Sequence, residues 1–411
     1  MAAGWTLFGL GLIVIGGAIG APGLALVGGL TLLSRWLITL WSRFGLESIA
    51  FDRRLGTDRA VWGDQVPMEI EVWNRKLLPV PLLTADDHVT DTLRVAGHTL
   101  GPSERPGRGT LRNAWSLLWF ERVVRRLTID ARRRGVFLLG PVRLTVSDLF
   151  DRGTRSDERE LPAELLVRPR SVPVRSLERA MAPLGNHRVP ASLFTDPARF
   201  AGVRPYQRGD PMRRIHWRAT ARTHAPVSRR YEPVRERQVL LAVDLQTVPG
   251  AYWLMLFDDE QVEALCVAAS SLARRILRDG AACGLLLGTQ LAGGRRWAYV
   301  PPTAAPGQLG RIDDVLARVQ PIVSLPFETL LDAVPRLLLP GGSVVVLSAR
   351  DPAPYLDPMR RLRGSGYAVD HVALGSEREM ARRTARDGGV RARTARLEPG
   401  WRDASALVLA D

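Results

Sequence analysis

QVLLAVD, Gln238–Asp244, is a near-continuous apolar run that ends on a carboxylate, and the chain repeats the pattern downstream in ACGLLLG (282–288), GSVVVLSAR (342–350) and YAVDHVAL (367–374). Short apolar runs of this kind are strands buried on both faces. Between the first and the second lies Gln261–Arg278, whose apolar and charged residues separate at helical spacing. Strands alternating with helices imply a parallel sheet covered on both sides, so residues 238–411 are expected to form a doubly wound α/β domain. In such a sheet the ligand crevice lies beyond the carboxyl ends of the strands. Asp244 ends the first strand and Ser348 a later one, which places any chemistry there.

Immediately upstream, residues 196–237 carry an arginine-rich segment. From Asp196 to Glu236 there are ten arginines and four acidic residues. Gly209-Asp210-Pro211 reads as a helix start, with Asp210 accepting from the first free N–H groups and Pro211 in the first turn. The helix is expected to run from Pro211 to Arg222. At ~3.6 residues per turn Arg214, Arg218 and Arg222 share one stripe and Met212, Ile215 and Ala219 another. The apolar stripe would dock while the arginines face outward. Tyr206 and Trp217 are interleaved with them, where their rings can stack on guanidinium groups. The alternative is a solvated face whose arginines pair internally with Asp210, Glu232 and Glu236.

Composition narrows the chemistry. The chain has 411 residues, 46% of them hydrophobic, enough for two or three domains with real cores. Its formal charge is +15, and Lys76 is the sole lysine. Lys76 lies in NRKLLP without preceding glycines, so a GxxxxGK[ST] phosphate loop is excluded, and a Schiff-base lysine has only this site to use. Cys266 and Cys283 lie in apolar segments and read as buried free thiols, which fits a reducing compartment. The six histidines are scattered, with no HExxH, and no GxSxG is present. His216 and His224 lack a carboxylate or cysteine at zinc-ligand spacing. Paired acids such as Asp86-Asp87 and Asp258-Asp259 occupy loop or helix-start contexts. The expected protein is not an enzyme.

The amino terminus, residues 1–44, reads as a transmembrane helical hairpin. Its arms are Trp5–Gly20 and Leu24–Trp41, joined at Ala21-Pro22-Gly23. Arg35, Arg43, Arg53 and Arg54 follow or interrupt the second arm and predict a cytoplasmic location for the rest, giving a cell-membrane protein with two spans. Residues 45–170 show short alternating runs broken by Pro, Gly and Asp, the pattern of a β-sandwich. In VPMEIEVWN, Val66, Met68, Ile70 and Val72 share one face, opposite Glu69, Glu71 and Trp73. Residues 171–195 read as a connector along the surface.

The order of hydrophobic hairpin, RRGVFLLGPVRLTVSDLF, LLVRPR, FAGVRPYQRGDPMRRIHWRATART and SRRYEP before LLAVD resembles the domain of unknown function 58 family across nearly the whole chain. The most specific piece, RPYQRGDPMRRIHWRATAR, matches that family's signature at Arg204, Tyr206, Gly209, Asp210, Arg214, Trp217 and Arg222. The resemblance implies a carboxy-terminal domain similar to the von Willebrand factor A fold, membrane anchoring, no assigned enzymatic activity, and partnership with a MoxR-type AAA+ ATPase. On that basis the partner-binding residues are expected to be Arg204, Tyr206, Arg208, Asp210, Arg213, Arg214, Trp217, Arg218, Arg222 and Arg230.

The same resemblance implies a metal-ion-dependent adhesion site, which needs Asp-x-Ser-x-Ser after the first strand to offer oxygens to a hard cation such as Mg²⁺. Here the sequence is Asp244-Leu-Gln-Thr-Val, and Ser348-Ala349-Arg350 replaces the expected Ser-Asp pair. Asp244, Gln246 and Thr329 are what is left of the site, so it reads as degenerate and no cofactor is expected. The leading reading is a membrane-anchored adaptor or interaction protein. Alternatives are a basic protein that binds nucleic acid or anionic lipid through the arginine stripe, and a divalent-metal-dependent adhesion domain.

Overall fold

The two apolar stretches that open the chain become helices α1 (Ala2–Ala18) and α2 (Pro22–Phe44) in the computed structural model, which describes residues 2–147, 155–176, 195–207, 212, 215–223, 225–233, 237–248, 250 and 257–411. Glycines set how closely the helices lie. A Cβ on Gly28 would fall 2.6 Å from the Gly9 carbonyl oxygen, and one on Gly16 would fall 2.6 Å from the Ala25 amide nitrogen.

Among the described residues no helix is long and apolar enough to cross a membrane. α1 has 17 residues, which at ~1.5 Å each cover about 26 Å of a ~30 Å hydrocarbon layer. α2 reaches 23 residues but carries Arg35 within it. The expected transmembrane hairpin is therefore corrected to a helical hairpin. The two spans, the cell-membrane location and the cytoplasmic placement of the remaining domains fall with it.

The chain divides into two units, Met1–Arg168 and Pro169–Asp411. In the first, the strands after the hairpin are β1 (Ile49–Leu55), β2 (Arg59–Val61), β3 (Gln65–Asn74), β4 (Val80–Thr90), β5 (Arg94–Val95) and β6 (Gly101–Pro102). They continue with β7 (Arg108–Leu117), β8 (Arg122–Asp130), β9 (Gly135–Ser147), β10 (Arg155–Arg159) and β11 (Ala163–Arg168). Two sheets result, ordered β1-β3-β8-β5 and β2-β11-β9-β4-β7-β6, with β10 paired to β9. Val66, Met68, Ile70 and Val72 of β3 are buried in the core the two sheets enclose, with Leu83 and Leu144 from the other sheet. On the outer face Glu69 meets Arg126 across the β3–β8 pair at 2.9 Å. Between the sheets Arg53 of β1 and Asp87 of β4 form a buried ion pair, and the Gly140 amide donates to Asp87 Oδ1 at 3.1 Å.

The second unit begins with β12 (Val174–Ser176), β13 (Thr195–Pro205), α3 (Trp217–Thr223), β14 (Val227–Pro233), β15 (Gln238–Val243), α4 (Asp259–Arg278) and β16 (Ala282–Leu287). β17 (Thr289–Leu291), β18 (Ala298–Thr303), α5 (Gln308–Ala317), β19 (Val319–Val323) and α6 (Phe327–Leu337) follow. It ends with β20 (Ser343–Ser348), α7 (Leu356–Gly364), β21 (Ala368–Ala373), α8 (Arg378–Asp387), β22 (Arg391–Glu398) and β23 (Ala406–Ala410). The main sheet has the order β12-β23-β22-β21-β20-β15-β16-β18. β15 runs parallel to both β16 and β20, so the strand order reverses between β15 and β20.

Alternate residues of β15 serve opposite layers. Val239, Leu241 and Val243 join a core with Leu265 of α4 and Ile312 of α5. Leu240 and Ala242 join another with Leu331 of α6 and Met359 of α7. Burial on both faces is why the strand reads as an unbroken apolar run.

Taken whole, the fold class read from sequence, a doubly wound von Willebrand factor A-like domain with a β-sandwich and a transmembrane hairpin, is corrected. The chain is sheet-rich in both units, the main sheet includes antiparallel pairs at β16–β18 and β22–β23, and among the described residues neither hairpin helix is long and apolar enough to cross a membrane.

Candidate functional site

The arginine-rich segment does not form the helix expected from Pro211 to Arg222. β13 and β14 make an antiparallel ribbon, and between them α3 covers only Trp217–Thr223. A cross-strand contact cuts the helix short: Ile215 bridges Ser228, and the His216 amide donates to the Val227 carbonyl at 2.8 Å. The helix then starts at His216, whose Nδ1 accepts from the Ala219 amide at 3.1 Å and so fills the capping role that the sequence assigned to Asp210. Ile215 is buried, but Met212, expected on the same docking stripe, is exposed.

The expected partner-binding residues separate into four groups. Arg208, Asp210, Arg213 and Arg214 lie outside the described residues. Arg204 and Tyr206 are half-buried at the end of the ribbon, where Arg204 Nη1 donates to the Pro205 carbonyl at 3.2 Å and the Tyr206 amide to the Pro226 carbonyl at 2.9 Å. Arg230 faces Gly202 in the ribbon register. Trp217, Arg218 and Arg222 stand outward on α3; Trp217 is 64% exposed, and the two arginines lie one turn apart. The short helix α3 thus exposes one aromatic ring and two guanidinium groups.

The second constellation lies where the strand order reverses. Asp244 follows β15 and Arg350 follows β20, with side chains only 2% and 7% exposed and Arg350 Nε 2.6 Å from Asp244 Oδ2. Asp244 Oδ1 accepts from the Gln246 amide at 3.1 Å, and the Ser348 hydroxyl approaches Oδ2 at 3.5 Å. Glu328 of α6 places Oε1 3.8 Å from Arg350 Nη2. Tyr355, in the short 3-10 turn before α7, lies under the guanidinium, 5.2 Å from Cζ to ring centre, and its hydroxyl is 3.4 Å from His371 Nε2.

Burial sets the protonation chemistry of this cluster. It pushes the Asp244 carboxyl above the ordinary carboxylate range, with the Arg350 guanidinium and the Gln246 amide acting against that shift. It pushes the Tyr355 hydroxyl well up and the His371 imidazole down to about 4. Cys266 and Cys283 are buried and form no disulfide, and burial pushes the Cys283 thiol up to about 12.

A divalent cation does not fit this arrangement. The Asp244 oxygen that would face it is bonded to a guanidinium. The Gln246 amide nitrogen is tied to the Val248 and Gly250 carbonyls at 3.3 and 2.6 Å. Thr329 is exposed on α6, and no group of three or more His, Cys, Asp or Glu suited to a metal occurs among the described residues. Arg350, Glu328, Tyr355 and His371 were not singled out by sequence reasoning as members of one cluster. The signal available was thin: an arginine two residues beyond an apolar strand, and a histidine inside another.

Residues 202–381 match the family model described as "Protein of unknown function DUF58". No curated protein matches the chain. Solved structures similar to part of it include the CARDB domain of a Pyrococcus furiosus protein in complex with di-metal ions, at 13% identity over 29% of this chain and 86% of that one, TM-score 0.20. A cohesin module from a Clostridium perfringens family 33 glycoside hydrolase matches at 9% identity over 28% and 96%, TM-score 0.20. The Pseudomonas fluorescens alkylpurine DNA glycosylase AlkC bound to DNA matches at 12% identity over 36% and 39%, TM-score 0.20. At such scores these likenesses carry no argument about this chain.

Proposed function

We propose that this chain, which belongs to the DUF58 family through residues 202–381, is a non-enzymatic interaction protein that docks a MoxR-type AAA+ ATPase through the β13–α3–β14 arm. One observation carries the reading: Trp217, a large aromatic, and Arg218 and Arg222 are all exposed on a short helix that buries none of its residues. Aromatic and arginine side chains together are the residues that most often anchor a protein interface. A non-catalytic role is supported by the state of the buried groups at the strand ends, where Asp244 is bound to Arg350 and His371 and Tyr355 are sealed in their neutral forms. The ATPase itself comes from the family resemblance.

The test is capture of the purified ATPase by the full chain. Arg218→Ala with Arg222→Ala, and separately Trp217→Ala, are expected to weaken capture about tenfold or more, the loss that follows from removing interface anchors worth at least about 1.4 kcal/mol. Because these side chains are exposed, circular dichroism and Tm should stay as in the wild type. Undiminished capture by both variants rejects the arm as the docking face. A salt-steep affinity for DNA, lost in the double variant, would instead assign the arm to phosphate.

A further inference from the structure

Beyond the carboxyl ends of β15 and β20, at the reversal of strand order, an open α/β sheet leaves its crevice. One positive group enters it beside two carboxylates, and a serine hydroxyl sits at the same residue's backbone amide. Arg350 Nε lies 2.6 Å from Asp244 Oδ2, Nη2 lies 3.8 Å from Glu328 Oε1, and the Arg350 amide donates to Ser348 Oγ at 3.1 Å. Nη2 is buried and has no hydrogen-bond partner among the described residues, so on that side the guanidinium is held by charge. Carboxylates and a hydroxyl are the oxygen types that a hard divalent cation takes. Here the chain supplies the positive charge from its own Arg350 side chain.

We infer that Arg350 is a tethered counter-ion standing where a divalent cation would otherwise sit, so that the crevice is complete without metal and becomes a cation site only when the guanidinium is removed. A carboxylate as buried as Asp244 stays in the fold only with a positive partner or a proton. Shortening Arg350 to alanine leaves a polar space lined by Asp244, Glu328 and Ser348. Mg²⁺ and Mn²⁺ keep several waters and need one or two carboxylates from the protein, which this lining provides. With the guanidinium present, the same space repels a cation. The inference is independent of the docking role given to α3.

The experiment uses the full chain and Mn²⁺ as the probe, with uptake followed by the electron paramagnetic resonance signal of the free ion and stability followed by thermal unfolding. Arg350→Ala should take up about one ion per chain and regain with Mn²⁺ part of the Tm it loses, by linkage of binding to folding. Sodium chloride at equal ionic strength should restore none of it, and adding Asp244→Asn should abolish uptake. The wild type should take up no ion through Asp244, and EDTA should leave its Tm in place. Uptake by the wild type that Asp244→Asn removes overturns the inference, as does a folded Arg350→Ala that takes up none. If Arg350→Ala does not fold, Arg350→Lys must keep a higher Tm than Arg350→Met; equal values show that the charge is not what the site needs, and the inference fails.

Discussion

His371 sits on β21 with its ring wholly buried beside Tyr355, and that burial lowers its pKa from 6.5 to about 4. The fold accommodates the neutral imidazole. Between those two values the unfolded chain binds a proton that the folded chain refuses, so this histidine's stabilising contribution is full above pH 6.5 and is lost as pH falls through about 4. A gap of that width corresponds to about 3 kcal/mol. The unfolding free energy of the wild type, measured with urea from pH 7 to pH 4, should therefore fall more steeply than that of His371→Gln, which has no proton to gain in this range. Equal slopes would assign the titration to other groups. The neighbouring pair shows what a sequence reader can and cannot see at this scale. Asp244 was legible because it ends an apolar run at the place where sheets leave a crevice. Arg350 is 106 residues away, and only the pairing of β15 with β20 brings the two together, so no spacing rule links them. Arginine in place of the acid expected after the later strand was visible as a departure from the family pattern, but its role as the partner of Asp244 was not.

Helix α4 and helix α3 mark the range of what local sequence decides for an element. At the start of α4, Asp258 Oδ1 accepts from the Glu260 and Gln261 amides at 3.0 and 3.2 Å, and the run of apolar residues behind it packs onto β15 and β16. Everything needed to place that helix start is within four residues, and the Asp258-Asp259 pair was readable as a helix start. Asp258→Ala should lower the unfolding free energy by about 1 kcal/mol, while Asp258→Ser should lose only a few tenths, since serine also caps well. If the two variants melt together, the cap contributes nothing specific. α3 is the opposite case. Its sequence has a good start signal at Gly209-Asp210-Pro211, yet Ile215 is drawn into a bridge with Ser228, thirteen residues on, and the helix is confined to Trp217–Thr223. A long-range pairing outweighed the local preference. The hairpin of α1 and α2 shows a third kind of limit: the apolar composition was plain, but the length of α1 set against the thickness of a bilayer, and the Arg35 charge within α2, were the deciding quantities.

Each of the two units buries a core of its own. In residues Met1–Arg168 both sheets converge on one cluster that includes Met68, Leu83 and Leu144. In Pro169–Asp411 the main sheet is covered on one face by the core around Leu241 and Leu265 and on the other by that around Leu240 and Leu331. The change in periodicity along the chain, from strict alternation before residue 170 to unbroken apolar strands after 237, is the sequence trace of that difference. A sheet exposed on one side alternates, whereas a sheet covered on both sides does not. Where a region's apolar surface is satisfied within itself, it meets the main condition for folding alone. Residues 169–411 expressed without the first unit should therefore unfold cooperatively, with a Tm within about 4 °C of the matching transition of the full chain, the shift that follows from losing no more than about 1 kcal/mol of outside contacts. A fragment that shows no cooperative transition, or that binds a hydrophobic dye in the manner of a loosened core, would mean that the second unit draws its stability from the first. In that event the docking reading of the β13–α3–β14 arm would have to be tested in the full chain only, because the ribbon belongs to the same unit and its geometry would not survive the cut.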